Sequence, residues 1–192
     1  NVGGSYEDQQ ESFQDLMLLM LMSLILVFIV MASQFESFTM PFIIMFSIPF
    51  DFTGVMLALF ITGSTLNIVA GLGAVLLIGI VVKNGIILVD FTNLMRDRGM
   101  RLYDAIVAAG RSRLRPVLMT ALTTILGMVP LAFSTGEGSE IWRPMGITVI
   151  GGLVFSTIIT MIIVQVMYGL MGRSGERNKI MKLRKQFNAL DD

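Results

Sequence analysis

Leu66 to Met95, LNIVAGLGAVLLIGIVVKNGIILVDFTNLM, is a run long and apolar enough to cross a bilayer as a helix, and it carries Lys83 and Asn84 inside its hydrophobic stretch. An ammonium among Ile80, Val81, Val82, Ile86 and Ile87 costs roughly 2.5 to 3.5 kcal/mol near the centre of a span, so it normally faces a partner or a water-filled path. Lys83 is therefore the first functional candidate.

The rest of the chain is of the same kind. Charged residues are 15% of the 192 and hydrophobic residues 54%, against about 25% charge in a typical soluble domain. This is the composition of an all-α integral membrane protein. Asn1 to Asp15 is polar, with four acids and no base, and reads as a periplasmic connecting segment with no fold of its own. Five transmembrane helices are expected at about 16–33, 41–61, 66–94, 116–134 and 145–171, with Pro41 and Pro116 opening the second and fourth, where a missing N–H costs nothing. Between the third and fourth lies a basic loop, 96–115, in which LYDAIVAAG looks like a short amphipathic surface helix. The tail, 172–192, is again basic.

The bases fix an orientation. Six of the 14 lie in the 96–115 loop, six in the tail, one is Arg143 and one is Lys83. With five spans the two basic segments fall on one side, which positive-inside asymmetry makes cytoplasmic, so the N-terminus is expected outside and the C-terminus inside. The chain begins Asn-Val-Gly-Gly, which reads as the C-terminal part of a longer polypeptide. Cysteine and histidine are both absent, which excludes disulfides, thiolate metal sites and imidazole catalysis within the chain. With no nucleophile–base pair or metal-ligand cluster, no enzyme, cofactor or nucleic-acid binding is indicated.

Each polar residue in a span has a bland reading beside the functional one. Lys83 and Asp90 are seven apart and share a helical face, with Gly79 one turn away on the same stripe, where a small residue admits a close neighbour helix. Snorkelling is the bland reading for Lys83, but about 12 Å separates it from the expected cytoplasmic end near Phe91, which is far for one side chain. Thr120 aligns with Arg113 if the fourth helix extends back through Pro116. A membrane threonine often only bonds the carbonyl one turn back, and Arg113 and Arg115 are most simply cytoplasmic anchors. Asp51 lies about 15 Å into the second span. It is a counter-ion for Lys83, a separate proton-titrating group in a desolvated setting, or a residue in a water-exposed groove. The 16 methionines are irregularly spaced and read as lipid-facing or gap-filling side chains rather than soft-metal ligands.

The run AGLGAVLLIGIVVKNGIILVDFTN, followed by RLYDAIVAAGRSRLRPVLMTALTTILGMVPLAFSTGEGSEIWRPMGITVIGGLVFST, resembles the C-terminal membrane half of the resistance-nodulation-division (RND) transporters. Within them it is most similar to the hydrophobe/amphiphile efflux pumps of the AcrB type, and QFESFTMPFIIMFSIPFDFTGVMLALFITG fits the same family. The resemblance implies a proton-driven drug antiporter of the bacterial inner membrane. It also implies a homotrimer that works with a periplasmic adaptor and an outer-membrane channel, this chain supplying five helices of the second six-helix repeat. Residue by residue it assigns Lys83, Asn84, Arg113 and Thr120 to a proton relay around an aspartate pair held elsewhere in the same polypeptide. Protonation of that pair then releases Lys83 toward Asn84 and Thr120. Asp51 departs from the family pattern, and Asp90 is a further intramembrane acid. Two alternatives stand beside drug efflux: a metal-ion RND exporter, against which the KNGIILVDF run speaks, and a proton-driven protein-export accessory.

Overall fold

In the computed structural model the backbone is described for residues 2–188 and the side chains for 10–172. Six helices follow one another: α1 (Val2–Phe35), α2 (Thr39–Met45), α3 (Ile48–Thr62), α4 (Ile68–Asp97), α5 (Leu102–Ala132) and α6 (Ser139–Asn188). They supply five helices or helix pairs long and apolar enough to cross a membrane: Gln10–Phe35, Thr39–Thr62, Ile68–Asp97, Leu102–Ala132 and Ser139–Gly172. No strand occurs among the described residues.

α6 is the central element, packing against α3, α4 and α5, while α1 lies at the edge against α2 and α4. Small residues let the helices meet. A Cβ added at Gly54 of α3 would strike Phe155 of α6, one at Gly151 would strike Ala58, and one at Gly152 would strike Leu77 of α4. In a bilayer there is little hydrophobic drive between helices, so this close backbone approach, with its dispersion contacts, is what holds α3, α4 and α6 together. Two buried clusters result. One gathers Ile43, Ile44, Ile78, Leu88, Val89 and Val164. The other gathers Val55, Leu59, Leu77, Val81, Val149 and Leu153.

Four boundaries differ from the sequence expectation. The segment 1–15, expected to have no fold of its own, is helical from Val2 and runs into the first span without a break; Glu7, Gln9, Gln10 and Glu11 are good helix formers, and an existing span spares the segment a nucleation cost. The second span is two helices, α2 and α3, parted at Phe46–Ser47. Pro49 has no N–H and its ring crowds the carbonyl of Met45, four residues back, which favours a break at this point. Ser47 closes the break by donating its hydroxyl to the Ile44 carbonyl at 2.8 Å. The 96–115 segment is no separate loop: only residues 98–101 connect, and α5 runs from Leu102 straight through Pro116 and Pro130. Membrane helices tolerate an internal proline because neighbours and local adjustment re-satisfy the freed carbonyls. The last helix starts at Ser139, before Pro144, and its backbone continues to Asn188. The basic side chains of the tail lie outside the described residues.

Candidate functional site

α4 positions the principal polar residues. Its start is fixed by Asn67, whose side-chain oxygen accepts from the Ala70 amide at 2.8 Å, the usual service of an N-cap. From there Ala70, Gly73, Ala74, Leu77, Ile78, Val81, Val82, Gly85, Leu88 and Val89 face inward. The opposite stripe, Leu72, Leu76, Gly79, Lys83, Asp90 and Leu94, is left exposed by the other four spans. An added Cβ at Gly79 meets no atom within 4 Å. Asn84 is half-buried beside this stripe.

α5 lies next to α4 and carries Arg113 and Thr120 on one side, since its helix does extend back through Pro116. Arg113 sets its guanidinium carbon 4.4 Å from the centre of the Phe91 ring of α4, a cation–π stack. Its Nε is enclosed without a hydrogen-bond partner. Thr120 is exposed and its hydroxyl donates to the Val117 carbonyl at 2.9 Å. Thr123 and Thr124 do the same to Met119 and Thr120, at 2.8 and 2.9 Å. In this chain the threonines make the local bonds of the bland reading. Thr120 nevertheless sits with Gly127 on a strip that the other spans leave exposed, with Arg113 half-buried at its end; no atom lies within 4 Å of an added Cβ at Gly127.

Asp51 is elsewhere. It sits in the first turn of α3 and is 4% exposed, packed toward α6. Neither carboxylate oxygen has a hydrogen bond of proper geometry, although the Ser156 hydroxyl lies alongside. Because Lys83 occupies the exposed stripe of α4, the two are not a pair within this chain, and Asp51 is not in a water-exposed groove. The structure thus brings Lys83, Gly79 and Asp90 onto one face, places Arg113 and Thr120 on the adjacent helix, and separates Asp51 from all of them.

Three contacts have no clear announcement in the sequence. Phe91 lies beneath Arg113. Tyr168 of α6 donates its hydroxyl to Asn93 Oδ1 of α4 at 2.5 Å, tying the two helices. Ser156, which lies alongside Asp51, and Thr160, both buried, have their hydroxyls 3.3 Å apart. The hydroxyl-rich run FSTIIT is the one signal that could have pointed to the last of these. No group of three or more His, Cys, Asp or Glu side chains able to hold a metal ion occurs among the described residues.

Comparison with known proteins bears on what such a face is for. The model of the AcrB/AcrD/AcrF family matches residues 1–172. The cobalt-zinc-cadmium resistance protein CzcA of Cupriavidus metallidurans is 38% identical over 174 residues, covering 91% of this chain and 16% of that protein. The swarming motility protein SwrC of Bacillus subtilis is 39% identical over 174 residues, covering 90% of this chain and 16% of that protein. Two crystal forms of a heavy metal efflux pump superpose with TM-scores of 0.79 and 0.74 at 32% and 33% identity; each match covers 17% of that chain and, respectively, 88% and 87% of this one. The chain therefore spans about a sixth of the length of these relatives.

Proposed function

The chain belongs to the AcrB/AcrD/AcrF family of RND transporters, and from that premise we propose that its five spans are part of the ion-coupling membrane domain of an inner-membrane efflux transporter. The observation that carries this reading is the uncovered stripe of α4. A membrane helix that turns Lys83 outward, flanked by Gly79, cannot present that face to lipid without a large cost. The face therefore belongs against another helix of the same polypeptide, and the acids there supply the counter-charge.

In this reading Lys83 is held by charge-assisted hydrogen bonds to carboxylates contributed from outside the chain. Protonating those carboxylates removes the attraction. Lys83 then turns toward Asn84 and Thr120, and the loss of the restraint shifts α4 against its neighbours. Arg113, pinned on Phe91, keeps a positive charge near the polar strip and favours the ionised carboxylates. Asp90, one face-repeat from Lys83, lies on the same covered surface.

Metal cations are the cargo this reading places first, since CzcA is named for cobalt, zinc and cadmium and the superposed structures are of a heavy metal efflux pump. As no metal-ligand cluster occurs among the described residues, the cation is taken up by parts of the transporter beyond this chain. Export of amphiphilic compounds is the second reading, favoured by the KNGIILVDF run. Assembly as a homotrimer with an adaptor and an outer channel belongs to the same proposal.

The test is export by the full-length parent and its Lys83→Ala variant at matched membrane abundance, with zinc, cobalt or cadmium and, separately, an amphiphilic dye. Wild type is expected to lower the cellular metal content, and Lys83→Ala to lose at least tenfold of that activity. Dye export without metal export replaces the first cargo with the second. Export unaffected by Lys83→Ala removes Lys83 from the relay.

A further inference from the structure

Asp51 is unused by the relay, yet its setting is that of a working group. It is 4% exposed and both of its oxygens are cut off from solvent without a well-formed hydrogen bond. Whatever is added around this chain can only deepen that burial. Beside it on α6 stands Ser156, 2% exposed, its hydroxyl 3.3 Å from that of Thr160, which is 4% exposed. Either hydroxyl can donate in that bond, and with Thr160 as the donor the Ser156 proton is left for the acid.

The backbone around Asp51 is also unusual. The acid lies in the first turn of α3, just past the Phe46–Ser47 break and near the middle of the span Thr39–Thr62. A helix interrupted at mid-membrane is a recurrent way for transporters to build ion sites, because it frees backbone groups at depth and gives the chain a hinge. Here the hinge and a buried carboxylate coincide.

Among the described residues no fixed charge lies beside this carboxylate. α2 and the remainder of α3 carry no ionisable side chain. The Lys83 and Asp90 side chains of α4 are on its exposed stripe. On α6, Arg143 and Glu140 lie 13 or more residues from Ser156, about 20 Å along the helix, and Tyr168 lies about 18 Å the other way, bonded to Asn93. Its tail bases are farther still along the chain. An ionised carboxylate enclosed without a counter-charge is strongly unfavourable, so a mobile cation must accompany it, and the lightest demand on geometry is made by a proton. A metal ion needs several oxygen ligands, and no group of three or more His, Cys, Asp or Glu side chains occurs among the described residues.

We propose that Asp51 is a second proton-carrying carboxylate, separate from the Lys83 face, with Ser156 as its hydrogen-bonding partner and the α2–α3 break as the hinge that admits and releases the proton. With α3 packed on α6, the carboxylate takes up one proton and becomes the neutral acid. Movement at the break exposes the acid to water, which accepts the proton and leaves the carboxylate. A permanently protonated structural acid is the bland reading, and asparagine, nearly the same shape as the neutral acid, separates the two.

The experiment is infrared difference spectroscopy of the purified full-length parent in lipid, recorded across a pH jump for wild type, Asp51→Asn and Ser156→Ala. The expected result is a carboxylic-acid carbonyl band that grows on acidification, is missing in Asp51→Asn, and is displaced in Ser156→Ala. Identical bands in wild type and Asp51→Asn overturn the proposal, as does a band that is missing in Asp51→Asn but does not change with pH. So does a band that sodium removes at constant pH, which assigns the site to that ion instead. Should Asp51→Asn fail to fold, Ser156→Ala decides alone: an unshifted band refutes the arrangement. The readout needs no cargo, so a titrating Asp51 with absent export rejects the efflux reading and leaves this one standing.

Discussion

At the scale of single residues the glycines divide the molecule into covered and uncovered faces. At Gly54 an added methyl collides with the Phe155 side chain at its Cβ, close to the backbone, where a rotamer change gives no relief. Overpacking of that kind typically costs about 1 to 3 kcal/mol. Gly54→Ala in the full-length parent is therefore expected to lower stability by about that amount, measured as earlier loss of helix signal on denaturant titration in detergent; unchanged unfolding contradicts the α3–α6 crossing. Polar residues divide less clearly in the sequence. Lys83, Asp90 and Gly79 share a face by spacing alone, because residues seven or four apart on one helix must lie on the same side. Whether Asp51 meets Lys83 is not legible in that way, since the meeting depends on which way two different helices turn. The packing of Gly54, Gly151 and Gly152 decides that rotation, and no periodicity within one span encodes it.

At the scale of the element, the five spans are legible because a bilayer demands length and apolarity and little else, and the sequence satisfies both. Their ends are not, because a proline in the sequence has the look of punctuation whether or not it ends a helix. Pro116 and Pro144 lie inside their helices, and only Pro49 breaks one. In water a freed carbonyl is solvated and the helix stops; in lipid the neighbours absorb the loss. Asn67 is the more informative end signal: its side chain caps the Ala70 amide and its Nδ2 donates to the Ile141 carbonyl at 3.4 Å, joining the starts of α4 and α6. Replacing a cap of this type costs about 1 kcal/mol. Asn67→Ala is expected to destabilise the parent by about that much and to speed amide hydrogen exchange at residues 68–70, with exchange elsewhere in α4 unchanged; uniform acceleration along the helix contradicts a purely local cap.

At the scale of the whole molecule, two kinds of exposed face coexist and mean different things. α1 turns Met17, Leu18, Leu21, Met22 and Leu26 outward, each more than half exposed, and such a face suits hydrocarbon without further partners. The α4 face also contains leucines, but it carries Lys83 one turn from Gly79, a charge that lipid solvates poorly, with Asp90 about 10 Å farther along the same stripe. Composition alone gives both faces the same label; only the placement of the charges separates a lipid boundary from a missing interface. The separation is testable by bulk. An added Cβ at Gly79 meets no atom within 4 Å in the five-span chain, but in the proposed arrangement of the full-length parent a leucine there enters the contact with the helix that covers Lys83. Leu21→Phe on α1 adds comparable bulk toward lipid. Gly79→Leu is expected to cut export at least tenfold at matched abundance while Leu21→Phe stays within about twofold of wild type. Equal tolerance at both positions means the α4 stripe faces lipid or water, and Lys83 then has no helix to signal to.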